Sequence, residues 1–260
     1  MNLTIALRTF KARQKEMGEG HCSKQALDSW PVVFRRFLDL KAIDHGGFKE
    51  SVDCGQCKMA QTGQYKESLK CCTYFPFLPC FSVGGVLAGG GPGASVVNDM
   101  IRNRQFVLPI GVVPSWQYRT KHKSMGGADF GQREDLLCPF FQKSTRNCTI
   151  WKSRNSACTT FYCSSDRGQA GLDAWAELYD DLYELEMHLV QEYLLFRGFS
   201  WEEICEQLEY LKLPANQMPI EYLPQEKMDS LWQHWQNQES RFFIEAFHWV
   251  SELSDADFLP

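Results

Sequence analysis

Nine of the eleven cysteines in this 260-residue chain lie between Cys54 and Cys163, and the eight of them that fall in a pattern are its best-placed candidates for chemistry. They run as Cys54-Gly-Gln-Cys57, Cys71-Cys72, Cys138-Pro-Phe-Phe, Cys148-Thr-Ile-Trp and Cys158-Thr-Thr-Phe-Tyr-Cys163. Thiolates are soft ligands that suit zinc and iron–sulfur clusters. A two-residue gap such as Cys54 to Cys57 lets one short loop aim two sulfurs at one centre, with Gly55 easing the tight turn. The wider pair Cys158 and Cys163 still fits one local turn. Grouped in this way, Cys54, Cys57, Cys71, Cys72, Cys138, Cys148, Cys158 and Cys163 read as metal ligands. The cofactor they imply is an iron–sulfur cluster of the four-iron, four-sulfur kind, or zinc. No catalytic residue can be assigned.

The adjacent pair Cys71-Cys72 constrains how these sulfurs are shared. In an extended backbone neighbouring side chains point to opposite sides. The two are therefore expected to serve different centres, or one ligates while the other packs. Eight sulfurs then make two four-sulfur sites, or one site plus inert thiols, and the sequence leaves both open. Cys22, Cys80 and Cys205 stand outside the pattern and are expected to pack as small buried hydrophobes. His45 and His122 keep no local spacing to a cysteine, which argues against them as ligands.

The elements that must carry these residues divide into three parts. Residues 1–53 form a lead-in, with a short strand expected through Leu3, Ile5 and Leu7, and a helix from Pro31 towards Leu40 that ends at Gly46-Gly47. Residues 54–165 are rich in Gly, Pro and Cys, a texture expected of a module held by metal bonds. Within it, glycine-rich Ser82–Ala94 reads as a flexible connection ahead of a helix from Ser95 to Arg104. It matches no phosphate-binding GxxxxGK[ST] or GxGxxG spacing. Arg119 to Gln132 reads as an exposed basic loop. Residues 166–260 are helical, since apolar residues recur at three and four from Leu172 to Tyr193. Gly198 closes that helix, Ser200 and Glu203 form a capping box for the next, and a last helix is expected from Gln225 to about Leu253. The expected fold is mostly α with irregular regions: a Cys-rich metal-binding module with few regular elements, followed by an α-helical C-terminal segment.

The net charge of −5 conceals a split. Through Ser165 there are 22 Lys plus Arg against 12 Asp plus Glu, a balance of +10; from Asp166 onward there are 5 against 20, a balance of −15. The simplest account is that the two segments dock and partly neutralise each other, with the acidic helical tail also able to recruit a protein partner. The aromatics of the basic segment form no recognisable nucleic-acid motif, which argues against nucleic acid as a partner. The least polar run, Cys80–Ala94, is short and glycine-broken, so no membrane span is expected. The first residues lack the apolar core of a secretory signal, and a cytoplasmic address is expected. A reducing compartment disfavours disulfides and favours metal ligation.

The order Cys-x2-Cys, Cys-Cys, Cys-Pro-Phe, Cys-x-Ile-aromatic, Arg, Cys, Cys resembles the YkgJ-type cysteine-cluster family. The resemblance runs through Cys54, Cys57, Cys71, Cys72, Cys138-Pro139-Phe140, Cys148-Thr149-Ile150-Trp151, Arg154, Cys158 and Cys163. That family is described as zinc- or iron-chelating and is related to the flagellin lysine N-methylase FliB. Thirteen residues separate Cys57 from Cys71 where the family has two and a further cysteine, and Asn155 replaces the family's proline after Arg154. The resemblance implies metal binding. The family's methylase activity does not carry over; a second class of function stands beside metal binding, an iron–sulfur-dependent modifying enzyme of methylase-like or redox type, in which the glycines at 89–93 and the segment Arg119–Lys123 would contact substrate or cofactor. No segment can be assigned to S-adenosylmethionine.

Overall fold

The computed structural model describes residues 30–37, 56–165, 167–212 and 219–253. Leu3, Ile5, Leu7, Cys22, His45, the Gly46-Gly47 pair and Cys54 lie outside them. The described residues form ten helices and five two-residue strands, so the chain is mostly α. Helix α1 (Val32–Phe37) follows Pro31 as its sequence predicts and buries Val33 and Phe34.

The glycine-rich stretch is the main departure from expectation. It is a helix, α3 (Cys80–Gly89), that follows the four-residue α2 (Lys58–Gln61). Cys80, Phe81, Val83 and Val86 are all buried, so apolar residues surround the helix instead of forming a stripe. Glycine is needed there because another helix crosses it at very short range. A Cβ at Gly84 would stand 1.8 Å from the carbonyl oxygen of Phe243. Composition reads Gly84-Gly85 as a break, and close packing overrides that reading. The real break is at Gly90 and Gly91, which have φ of 66° and 74°. From there α4 (Gly91–Arg102) begins, with Pro92 in its first turn, earlier than expected.

A small antiparallel sheet flanks α3. Its order is β1 (Leu78–Pro79), β3 (Gly111–Val112), β2 (Val107–Leu108), with Leu78 opposite Val112 and Val107 opposite Val112. Arg119–Lys123 is not loop but the end of α5 (Trp116–Lys123). Ser115 caps this helix, its hydroxyl accepting from the Tyr118 amide at 3.2 Å. The Tyr118 hydroxyl accepts from the Phe75 amide at 2.7 Å and lies 3.0 Å from the Leu136 carbonyl. Arg119 reaches inward to donate to the Leu211 carbonyl at 2.8 Å. These anchors fold the basic segment onto the core.

Helix α6 (Ser156–Thr160) leads to the long α7 (Gln169–Phe196), which ends at Gly198 with φ 89°. The capping box opens α8 (Trp201–Glu209), Glu203 accepting from the Ser200 amide at 2.7 Å. The last expected helix is two: α9 (Gln225–Trp232) and α10 (Glu239–Glu252). Left-handed Gln233 (φ 49°) and Asn237 (φ 60°) separate them. The break lets Trp232 donate from Nε1 to the Val107 carbonyl at 2.9 Å, while α10 turns back across α3. One apolar cluster runs from Trp30 through Phe81, Ile110 and Phe140 to Tyr193, Trp232, Phe242 and Val250. The cysteine-rich and acidic segments therefore share a core.

Candidate metal centre

Seven of the eight patterned cysteines are described, and backbone hydrogen bonds fix where most of them stand. Cys57 precedes α2, its carbonyl accepting from the amides of Ala60 and Gln61 at 3.1 Å. The chain then turns through left-handed Lys70 (φ 55°), whose buried amine donates to the Arg146 carbonyl at 2.7 Å. That bond seats the Cys71-Cys72 turn against a hairpin of β4 (Phe141–Gln142) and β5 (Asn147–Cys148). The Cys72 carbonyl accepts from the Cys138 amide at 2.8 Å, and the Cys138 carbonyl accepts from the Phe141 amide at 3.0 Å. Phe141 in turn pairs with Cys148 across the hairpin. Cys72, Cys138 and Cys148 thus follow one another through three backbone contacts.

Cys158 sits in α6, held from three sides. Asn155 caps the helix, accepting from the Cys158 amide at 3.0 Å and donating to the Phe77 carbonyl at 2.9 Å. Buried Arg154 donates to the carbonyls of Trp151 at 3.0 Å and Cys158 at 3.1 Å, and its guanidinium lies 3.5 Å over the Trp151 ring. From α7, fully buried Glu186 accepts from the Ser156 amide at 2.8 Å and its hydroxyl at 2.5 Å. Burial raises the Glu186 carboxyl to about 8, against the opposing pull of the two Ser156 hydrogen bonds.

The sulfurs fall into neighbourhoods. Cys163 lies near Cys71 and Tyr65. That contact with Cys71, followed by burial, pushes the Cys163 thiol far up. The Tyr65 phenol is raised by burial first, then by the charges of Cys163, Cys71 and Cys57. Cys138 is raised well above the usual thiol value by burial and by the Cys158, Cys148 and Cys71 sulfurs. Burial and Cys148 push Cys158 up to about 12. Each thiolate therefore opposes the next, an arrangement that a bound cation would reverse. Among the described residues, no three His, Cys, Asp or Glu side chains already stand in a coordination group.

Outside the pattern, Cys80 is buried in α3 as expected, whereas Cys205 is exposed on α8, where the helix turns its position to solvent. The Nε2 atom of His122 is buried without a hydrogen-bond partner, and its ring lies 5.2 Å from that of Tyr74. Sequence reasoning missed Tyr65 and Glu186. Glu186 had a signal, a lone carboxylate within the apolar stripe Leu182, Leu185, Leu189 of α7. Tyr65 had none.

Compared with known protein families, curated proteins and solved structures, the chain matches none. No described helix is long and apolar enough to cross a membrane. Thiols are the donor type that suits a thiophilic metal, and among the described residues Cys72, Cys138 and Cys148 are joined by backbone contacts beside one hairpin.

Proposed function

We propose that this chain is a metal-binding protein whose patterned cysteines hold an iron–sulfur cluster or zinc. The observation that supports the reading is the chain of backbone contacts that joins Cys72, Cys138 and Cys148, with Cys158 held nearby by Arg154 and Asn155, from stretches up to 86 residues apart in sequence. The resemblance to the YkgJ-type family supports it. Zinc would cross-link these segments, and an iron–sulfur cluster would add one-electron chemistry.

The chain's own residues set the positions. Lys70 and the β4–β5 hairpin hold the Cys71-Cys72 turn, and Arg154, Asn155 and Glu186 hold the Cys158 turn. A cytoplasmic setting, where thiols stay reduced, suits this chemistry, and the acidic helices α7 to α10 suit a protein partner.

Elemental analysis of protein purified without oxygen tests the proposal. We expect at least one tightly held iron or zinc per chain, with visible absorption if the metal is in an iron–sulfur cluster. Protein that carries neither metal, and takes up neither when fully reduced, would refute it.

A further inference from the structure

We infer that Tyr118 is a positioning residue for the two segments that carry Cys72 and Cys138, and that its hydroxyl couples metal uptake to helix α5. This deepens the metal-binding reading, on which it rests, by naming a side chain outside the cysteine pattern that sets where those segments stand.

The two segments meet at one backbone bond, the Cys72 carbonyl accepting from the Cys138 amide at 2.8 Å. Beside that bond the Tyr118 hydroxyl reaches both of them. It accepts from the Phe75 amide at 2.7 Å, donates to the Leu136 carbonyl at 3.0 Å, and lies 3.3 Å from the Thr73 carbonyl. Thr73 follows Cys72 directly, and Leu136 precedes Cys138 by two residues. Thr73 and Leu136 are fully buried, so their carbonyls have no bulk water to turn to if the hydroxyl is lost.

Tyr118 is itself held from the other side. Ser115 caps its helix, the Gln117 amide donates to the Ile220 carbonyl at 3.0 Å, and Arg119 donates to the Leu211 carbonyl at 2.8 Å. Helix α5 is thus a strut between the chain that follows α8 and the cysteine-bearing segments. The Tyr118 ring meets Phe75 edge-on, with centroids 5.8 Å apart, and stacks on His122 at 6.3 Å. Phenylalanine would keep those ring contacts and lose the hydroxyl alone. Under the metal-binding reading both segments carry ligands, and segments already held in place need less ordering when metal arrives. The coupling is reciprocal: whatever the hydroxyl adds to metal affinity, bound metal returns to the hydroxyl contact.

Cobalt(II) is the probe, titrated into the reduced, metal-free full-length chain without oxygen, with sulfur-to-cobalt absorption as the signal. Tyr118→Phe should bind cobalt about 10–100-fold more weakly than the unaltered chain. Tyr193→Phe is the matched control, since it removes a buried tyrosine hydroxyl that donates to the Phe242 carbonyl at 2.8 Å, in the seam of α7 with α10. Its cobalt affinity should stay within about twofold of the unaltered chain, as expected of an independent site. Equal weakening in both variants, or no weakening in Tyr118→Phe, would overturn the positioning role while leaving metal binding intact. Far-UV circular dichroism reports whether each variant folds. If Tyr118→Phe does not, hydrogen exchange in the unaltered chain decides: cobalt should slow exchange of the Phe75 amide together with that of Cys138. A Phe75 amide that cobalt leaves unchanged would overturn the coupling. No uptake by the unaltered chain would overturn the metal-binding reading, and the role of Tyr118 with it.

Discussion

Replacing Gly84 with alanine is the sharpest test of the helix pair at the centre of this fold. The added Cβ would stand 1.8 Å from the Phe243 carbonyl oxygen, 2.6 Å from its carbon and 2.9 Å from the Phe247 Cβ. Ordinary contact begins at 3.4 Å, so helices α3 and α10 must separate by about 1.6 Å at this point. The obstacle is backbone on one side and helix on the other, and no side chain can swing aside. Overpacking of a well-packed seam costs about 1–3 kcal/mol, against a helix-propensity gain of about 1 kcal/mol for glycine to alanine. Here the opening also loosens Phe81, Val83, Phe243 and Ala246, all fully buried, so the cost belongs at or above the top of that range. Gly89 is the control. It lies in the same helix, and its added Cβ would meet nothing within 4 Å. Gly89→Ala should be neutral or stabilising by up to about 1 kcal/mol. Urea unfolding followed by tryptophan fluorescence gives both numbers, with the buried Trp175 and Trp232 as reporters. If Gly84→Ala unfolds within about 0.5 kcal/mol of Gly89→Ala, the close crossing of α3 and α10 is wrong.

Two further perturbations probe the support of Cys158. Glu186 has a carboxyl raised from 4.5 to about 8 by burial, so between these values the folded chain holds a proton that the unfolded chain releases. Stability contributed by this group is present in full below about 4.5 and is lost as pH rises to about 8, with a slope of at most about 1.4 kcal/mol per pH unit. His122, lowered by burial, acts in the opposite sense near its usual value, so the difference between the unaltered chain and Glu186→Gln isolates the carboxyl. That difference, measured by urea unfolding of metal-free protein across this window, should change steadily with pH; a flat difference would refute the buried, proton-holding carboxyl. Arg154→Lys loses the stack on Trp151 and the fork to two carbonyls, and should cost about 2–4 kcal/mol. Thermal unfolding that matches the unaltered chain would show that a simple positive charge suffices there.

How much of this was legible in the sequence depends on whether the governing contacts were local. The helix α7, its closing Gly198 and the Ser200–Glu203 box follow from residues within a turn or two of each other, and they stand where periodicity put them. Gly84-Gly85 could not be read that way. Their purpose lies with Phe243 and Phe247, some 160 residues on, and without those partners two adjacent glycines signify a break. Arg119 misled for the same reason, because a charged segment reads as solvated until Leu211 and Lys212 supply carbonyls for its guanidinium. The split of the last helix depended on Gln233 and Asn237 taking left-handed conformations, which their identities permit but do not demand.

The cysteines were legible as a spacing pattern, but the contacts that hold the turns carrying them were not. Adjacency leads to the expectation that Cys71 and Cys72 diverge, and it cannot say towards what. The Cys72 carbonyl accepts from the Cys138 amide, 66 residues on, a contact that no local spacing announces. Two buried cations accompany the cysteine-bearing turns. Lys70 precedes Cys71 and Arg154 bonds to Cys158, and each is buried with its donors on backbone carbonyls of the surrounding turns. Under the metal-binding reading, thiols that lose their protons leave negative charge beside these two groups. A dipositive ion bound by four thiolates carries a net charge of −2, which is costly to bury in an apolar setting. The basic character of the cysteine-rich segment then has a local purpose at Lys70 and Arg154, distinct from the exposed charges of its surface.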